Sequence, residues 1–325
     1  MSKLDMKYNY DTTINTAYNL GRNNNVIKKY FAITSPDENK LKLTYTYNFS
    51  IIDSVIENIV KENSKKITNA AIIKNNSGNL VVTKDKYGLS VDSESIVQAI
   101  KSKINNIDNE KDLVIISELK KIDPKIKTSD LLGVNTRISS VTTNFRYSNL
   151  NRSENIRVAA AAINGKTLMP GEVFSFNDIV GARTIDRGFK TAKEIIGNKV
   201  VDGIGGGVCQ VSTTLYNAVL RTNLNSVERY QHSLKSSYIG AGLDATVAYG
   251  LLDYRFKNTY FYPIYLESSV YNKNVTFSIY SNESLNSKTY DILNERVGNS
   301  IHVSRITYNN NKFLSKVLLY TDNIH

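Results

Sequence analysis

The stretch Asp202-Gly203-Ile204-Gly205-Gly206-Gly207-Val208-Cys209-Gln210-Val211-Ser212-Thr213-Thr214-Leu215-Tyr216 sets the only cysteine of the chain between a glycine run and an apolar helical pattern. From Val211 the apolar residues recur as Val211, Leu215, Ala218 and Val219, the spacing of one buried helical face. Cys209 therefore belongs at or just before the first helical turn. Backbone N–H groups there lack intrahelical partners and carry partial positive charge, so a thiolate is favoured. Gly205, Gly206 and Gly207 supply backbone that takes positive φ and comes close to a ligand. The pattern reads as a nucleophile, set against a plainer alternative in which the cysteine is a small core residue and the glycines make a tight strand-to-helix turn.

Working outward, 325 residues are enough for two domains with a core in each. Hydrophobic residues at 41% and charged residues at 22% exclude global disorder. Lys plus Arg number 41 against 30 Asp plus Glu, and this net charge of +11 favours anionic surroundings such as nucleic acid, anionic lipid or acidic wall polymers. The basic residues are scattered in short doublets such as Lys65-Lys66, without an aromatic-interleaved stripe or a nucleic-acid motif. Nucleic acid is therefore not an expected partner, and a solvated basic surface accounts for much of the charge. A single cysteine forms no intramolecular disulfide. No run approaches the ~20 apolar residues of a membrane span, and the first residues lack a signal-peptide core. An extracellular role would need an export or anchor segment outside this sequence.

The order of patterns predicts an α+β fold. Residues 1–128 read as an α+β module: a helix from Thr13 to Leu20, an alternating strand over Lys40–Phe49, a helix with Ile52, Val55, Ile56 and Ile59, strands at Ala70–Ile73 and Leu80–Thr83, a helix capped by Asp92, and a strand at Leu113–Ile116. Lys120–Asp130, with Pro124 and four lysines, is the linker candidate. Residues 129–270 read as a mixed α/β catalytic domain. It opens with a helix capped by Ser153, in which Ala159–Ala162 permit close packing, and ends in a series of strands. Residues 271–325 read as a strand-rich extension.

A cysteine nucleophile needs a group to handle its proton, often held by a third. His302 and His325 lie in the weakly patterned tail, so His232 is the expected base. The carboxylate that orients it is Asp244 or Asp253. One Cys and one nearby His fall short of a zinc set, so neither metal nor cofactor is expected.

Several separate motifs, Val180-Gly181-Ala182-Arg183-Thr184, Gly205 to Asn217, Glu228-Arg229 with His232-Ser233, Gly242 to Val247 and Asp253 to Asn258, resemble the VanW-like domain in order and spacing, over roughly Leu131 to Val270. More weakly, Tyr18-Asn19-Leu20-Gly21-Arg22 and Tyr87 to Asp92 are similar to the peptidoglycan-binding region that often precedes that domain in wall proteins of Gram-positive bacteria. Some members of the family are regarded as L,D-transpeptidases that form 3→3 peptidoglycan cross-links. The resemblance implies a tetrapeptide stem as donor, attacked at the carbonyl of its third residue with loss of D-Ala, and an amine on a neighbouring stem as acceptor. It implies an extracellular, cell-wall protein, membrane-anchored at full length. Cys209, His232 and Asp244 are then the catalytic group. Arg183, Gly206, Gly207, Gln210, Ser212, Asp253 and Arg255 form the substrate-binding set, with Arg183 on a stem carboxylate and backbone N–H groups from Gly207 to Gln210 on the oxyanion. The alternatives are a cysteine peptidoglycan hydrolase with the same residues and a non-catalytic wall-binding protein.

Overall fold

A computed structural model describes residues 7–19, 22, 25–34, 41, 43–104, 114–196 and 199–324. The fold is mixed α+β, and every strand pairing is antiparallel. Contacts divide the chain into two compact units, Met1–Thr68 with Tyr87–Asp123, and Asn69–Lys86 with Pro124–His325.

The first unit holds the helices Tyr10–Asn19, Val26–Thr34, Ser50–Asn63 and Ser93–Ile104. Asp92 accepts the Ser95 N–H at 3.1 Å and so caps the last of these, as its sequence predicts. The strand expected over Lys40–Phe49 is confined to Tyr45–Thr46, paired with Lys7–Tyr8; Lys40 and Lys42 lie outside the described residues, as do Leu20, Gly21, Leu113 and His325. Part of the expected linker is ordered as a strand, because Leu119–Ile122 pairs with Gly88–Val91.

The hairpin Ala71–Lys74 and Leu80–Thr83 belongs to the second unit for two reasons. Ala70 and Ile72 bury themselves with Leu131, Val134 and Tyr265, and Asp85 accepts both the N–H (2.7 Å) and the hydroxyl (2.5 Å) of Thr128.

In the second unit, strands and helices from Thr136 onward are labelled in chain order. β1 (Thr136–Asn144), β2 (Lys166–Leu168), β8 (Ile264–Tyr271) and β9 (Asn274–Ser281) form a four-stranded sheet in the order β1-β9-β8-β2. Helices α1 (Leu150–Ile163) and α3 (Val208–Leu220) pack on it and on each other. Between them come β3 (Val173–Ser175), the short α2 (Phe176–Val180), and the hairpin β4 (Thr191–Ile196) and β5 (Lys199–Ile204). Strands β6 (Asn225–Glu228) and β7 (Arg255–Lys257) join β3 in a small sheet ordered β6-β7-β3. β10 (Lys288–Val297), β11 (Ser300–Asn309) and β12 (Lys312–Asn323) complete the chain as a three-stranded meander.

Helix α3 is the centre of this unit. The sequence predicts one buried face, yet every α3 residue except Cys209 is buried, including Gln210, Ser212, Thr213, Thr214 and Asn217. The polar residues are tolerated because each is bonded, and a buried polar group without a partner costs ~1–3 kcal/mol. Thr214 meets Thr143 of β1 at 2.7 Å, and Ser139 of β1 donates to the Ala218 carbonyl at 2.7 Å. On another side, Ser212 donates to the Ala245 carbonyl (2.7 Å), Thr213 accepts the Ala245 N–H (3.0 Å) and Asn217 donates to the Leu243 carbonyl (2.6 Å).

Helix α1 starts earlier than its sequence suggests. Asn149, not Ser153, is the cap and accepts the Arg152 N–H at 2.9 Å, while Ser153 sits one turn in with its hydroxyl bonded back to the Asn149 carbonyl. Ala159 and Ala160 are fully buried in the core, as their small size led one to expect. The same helix carries Asn155, fully buried, whose amide donates to the carbonyls of Lys190 (2.9 Å) and Gly206 (3.0 Å) and accepts the Lys190 N–H (2.7 Å). It ties the glycine turn to the helix. Asn155→Ala removes three hydrogen bonds that tie the turn to the helix, and urea denaturation should show a loss of about 1–3 kcal/mol with an unchanged m-value; a midpoint equal to that of the parent chain would mean that the turn holds itself.

Candidate active site

The turn Gly205-Gly206-Gly207 converts the end of β5 into the start of α3. Gly207 is the N-cap residue, at φ +106°, a conformation that glycine adopts without strain. Gly206 is required for another reason: a Cβ there would lie 2.5 Å from the Lys193 carbonyl oxygen of β4. Both glycines are thus explained by backbone packing as well as by access. The Val208 N–H is taken by the Gly205 carbonyl and the Gln210 N–H by the Gly207 carbonyl, each at 3.0 Å. Among the described residues no acceptor takes the N–H of Gly207 or Cys209. Cys209 is half-buried at the second helical position, with its Sγ 3.4 Å from the Val247 carbonyl oxygen.

His232 lies in the loop after β6, its side chain only 5% exposed and close enough to Cys209 for the sulfur to act on the ring's charge. Its Nδ1 stands 2.5 Å from Asp244 Oδ2, and the same oxygen accepts the His232 backbone N–H at 2.6 Å. Cys209, His232 and Asp244 therefore form one cluster, and Asp244 rather than Asp253 is the carboxylate on the ring. Asp244 is itself placed by α3, since Ser212, Thr213 and Asn217 grip the backbone on either side of it. Burial by itself would lower the imidazole pKa. The hydrogen bond to Asp244, then the neighbouring Cys209 sulfur, outweigh that cost and hold it up at about 9. Burial would raise the Asp244 carboxyl, but the His232 ring and backbone N–H pull it below the usual carboxylate value.

Arg183 reaches this site. One guanidinium nitrogen donates to the Gly181 carbonyl at 2.8 Å, while Nη2 is buried with no hydrogen-bond partner, and the group lies over the rings of Phe176 and Tyr249. Burial lowers its pKa, and the nearby Cys209 and Asp253 partly restore it. The other positions named from sequence point elsewhere. Gln210 is buried, accepts from Arg152 (2.9 Å) and donates to Thr143 and Asn144. Ser212 is buried against Ala245. Asp253 accepts the Ser175 hydroxyl (2.6 Å) and the Asn177 N–H (2.9 Å), which closes the start of α2. Arg255 lies 3.9 Å from Glu228 in the small sheet.

Three groups escaped sequence reasoning. Asn155 secures the turn. Arg152 donates to Ser148 and Gln210, and burial lowers its pKa against the opposing pull of Tyr238 and Cys209. The Tyr238 phenol lies near Cys209, and burial drives its pKa up. None carries a pattern of its own in the sequence, though Arg152 and Asn155 lie three apart and so share a face of α1. A cavity of about 120 Å³ is lined by His232, Asp244, Ile239, Ile301 and Asp322 but not by Cys209.

Residues 151–280 match the family model described as VanW like protein, and residues 1–112 match the model described as Putative peptidoglycan binding domain. Over 168 residues the chain is 40% identical to YoaR of Bacillus subtilis, an overlap of 51% of this chain and 55% of that protein. Over 113 residues it is 33% identical to the vancomycin B-type resistance protein VanW of Enterococcus faecalis, an overlap of 33% of this chain and 41% of that one. The chain thus spans about half the length of these relatives. No solved structure matches it. Among the described residues no helix is long and apolar enough to cross a membrane. The first matched segment contains Cys209, His232 and Asp244, so the half-buried cysteine lies in the part of the chain that resembles VanW like proteins, downstream of the part that matches the peptidoglycan-binding model.

Proposed function

We propose that the chain acts on the bacterial cell wall as a cysteine-dependent L,D-transpeptidase. The observation that carries this reading is the cluster of Cys209, His232 and Asp244, set at a helix start where two backbone N–H groups have no acceptor among the described residues.

In this reading His232 takes the proton of the Cys209 thiol, and the sulfur attacks the carbonyl carbon of the third stem residue. The oxyanion is received by the N–H groups of Gly207 and Cys209, a type of contact whose removal costs ~3–4 kcal/mol in the barrier. The imidazolium so formed, which Asp244 stabilises, then acts as the acid: it protonates the amine of the departing D-Ala as the C–N bond breaks and a thioester forms. The ring, now neutral, takes a proton from the acceptor amine as that nitrogen attacks the thioester. An amide forms, the C–S bond breaks, and the sulfur and imidazolium are restored. Asp244 keeps the ring in one tautomer throughout. The unpaired Nη2 of Arg183 offers a donor to a stem carboxylate, since a guanidinium matches a carboxylate in a two-pronged contact. Gln210, Ser212, Asp253 and Arg255 are assigned to the frame that holds these groups. The net charge of +11 helps to collect anionic wall strands, and the peptidoglycan-binding segment keeps the site on its polymer.

Transfer must beat water at ~55 M, which requires an oriented acceptor amine with an effective molarity of ~10⁵ M or more. Incubation with disaccharide-tetrapeptide followed by mass spectrometry should yield a dimer lighter than two substrates by one D-Ala, and none with Cys209→Ala. Tripeptide alone at every acceptor concentration would replace transfer by hydrolysis. His232→Ala should lower the acylation rate by about 10²–10⁴, with melting curves taken alongside; turnover near the parent level would assign the proton transfers to another group. Acylation should also decline as the pH rises through about 9, where His232 loses its proton. The stability linkage has the same sign: a histidine raised on folding contributes fully below its free value of 6.5 and loses that contribution as the pH climbs through about 9. The melting-temperature advantage of the parent chain over His232→Gln should shrink across that window, and a constant advantage would show that the ring is neutral.

A further inference from the structure

The Arg229 guanidinium stands behind the His232–Asp244 pair, only 11% exposed. It donates to the Asp244 carbonyl from Nε (2.7 Å), to the Gly242 carbonyl (3.1 Å) and Asp244 Oδ1 (3.2 Å) from Nη2, and to Asp322 Oδ1 from Nη1 (2.8 Å). Asp322, near the end of β12, is 12% exposed in its side chain. The C-terminal meander touches the same loop at further points. Tyr320 donates to the Gly242 carbonyl at 2.7 Å and meets the Tyr216 hydroxyl at 2.5 Å, Asn294 donates to the Ala241 carbonyl at 2.9 Å, and a Cβ on Gly242 would strike Ile301 at 2.8 Å.

We propose that Asp322 is a positioning residue for the proposed reaction: through Arg229 it fixes the orientation of Asp244 and so of His232, and the site is complete only with a strand that lies beyond the matched VanW-like segment. The argument is one of charge and geometry. Buried cations and carboxylates persist only when paired and bonded. With both carboxylates present, Arg229 divides its donors between Asp322 and the 242–244 backbone, and Asp244 Oδ2 is left for the imidazole. Without the Asp322 charge the guanidinium turns wholly on Asp244 and competes with the ring for it. The other groups facing this cluster are Cys209, the phenols of Tyr216, Tyr238 and Tyr320, whose pKa values burial raises, and Lys235 on the cavity wall. None of these supplies a second anion that would replace Asp322 beside Arg229 at neutral pH.

The inference rests on the catalytic reading for its consequence but not for its test. The imidazole of His232 is titrated by NMR in the full chain, its signal assigned by His232→Gln. In Asp322→Asn the midpoint should fall by on the order of one pH unit, and in Asp322→Glu it should return toward the parent value. On the disaccharide-tetrapeptide, Asp322→Asn should lower kcat several-fold with KM little changed. If Asp322→Asn does not fold, Asp322→Ser serves as the uncharged variant. A His232 midpoint in the uncharged variant indistinguishable from that of the parent chain overturns the proposal. A shifted midpoint in a chain whose parent shows no turnover keeps the coupling and sinks only the transpeptidase reading.

Discussion

The grip of helix α3 on residues 243–245 is the constraint on which the site depends. Ser212, Thr213 and Asn217 are buried side chains that spend their hydrogen bonds on the backbone flanking Asp244. Cys209 stands on the first turn of the same helix. One rigid element therefore sets the positions of both the sulfur and the carboxylate that holds His232. A site carried on a packed helix holds its geometry more closely than one carried on loops alone. It also explains why so polar a helix is tolerated at the centre of the core: each buried hydroxyl and amide is satisfied by a segment whose position matters.

Electrostatics extend this frame. The imidazole is pulled upward by Asp244 and the sulfur against the cost of its own burial. Asp244 is pulled downward by the ring and further steadied by Arg229. Near the sulfur itself the surroundings are cationic and aromatic, with Arg152 and Arg183 weakened as acids' opposites by burial yet still charged, and Tyr238 held neutral. Such a setting favours anionic groups near Cys209, as the proposed reaction would need.

The glycine turn shows how a pattern serves two purposes at once. Read from sequence, three glycines suggest ligand access. In the fold, Gly206 lets β4 pass at van der Waals distance, Gly207 supplies the positive φ of the cap, and Asn155 anchors the turn from α1. Access to the sulfur is a consequence of that packing. The same lesson holds for Gln210 and Ser212, which sit in the cysteine motif but face the interior, and for Asp253, which closes α2.

The sequence by itself determined the local facts: a lone cysteine at a helix start, a histidine and two aspartates downstream, an α+β order of elements, and the motifs shared with the VanW-like domain. These are short-range statements, set by periodicity, capping and the special backbone of glycine. What only the tertiary structure decided were the long-range choices. Asp244 and not Asp253 meets the ring because α3 draws residues 243–245 toward the cysteine. Residues 69–86 join the second unit because Ala70, Ile72 and Asp85 find partners around Leu131 and Thr128. Helix α3 is enclosed on all sides because β1, α1 and the 243–245 segment each cover part of it, which no pattern within its thirteen residues reveals. Asp322 reaches Arg229 across 93 residues of chain. Hydrogen bonds of buried polar groups are selected by which segments the core brings together, and that selection is made by packing, not by neighbours in sequence.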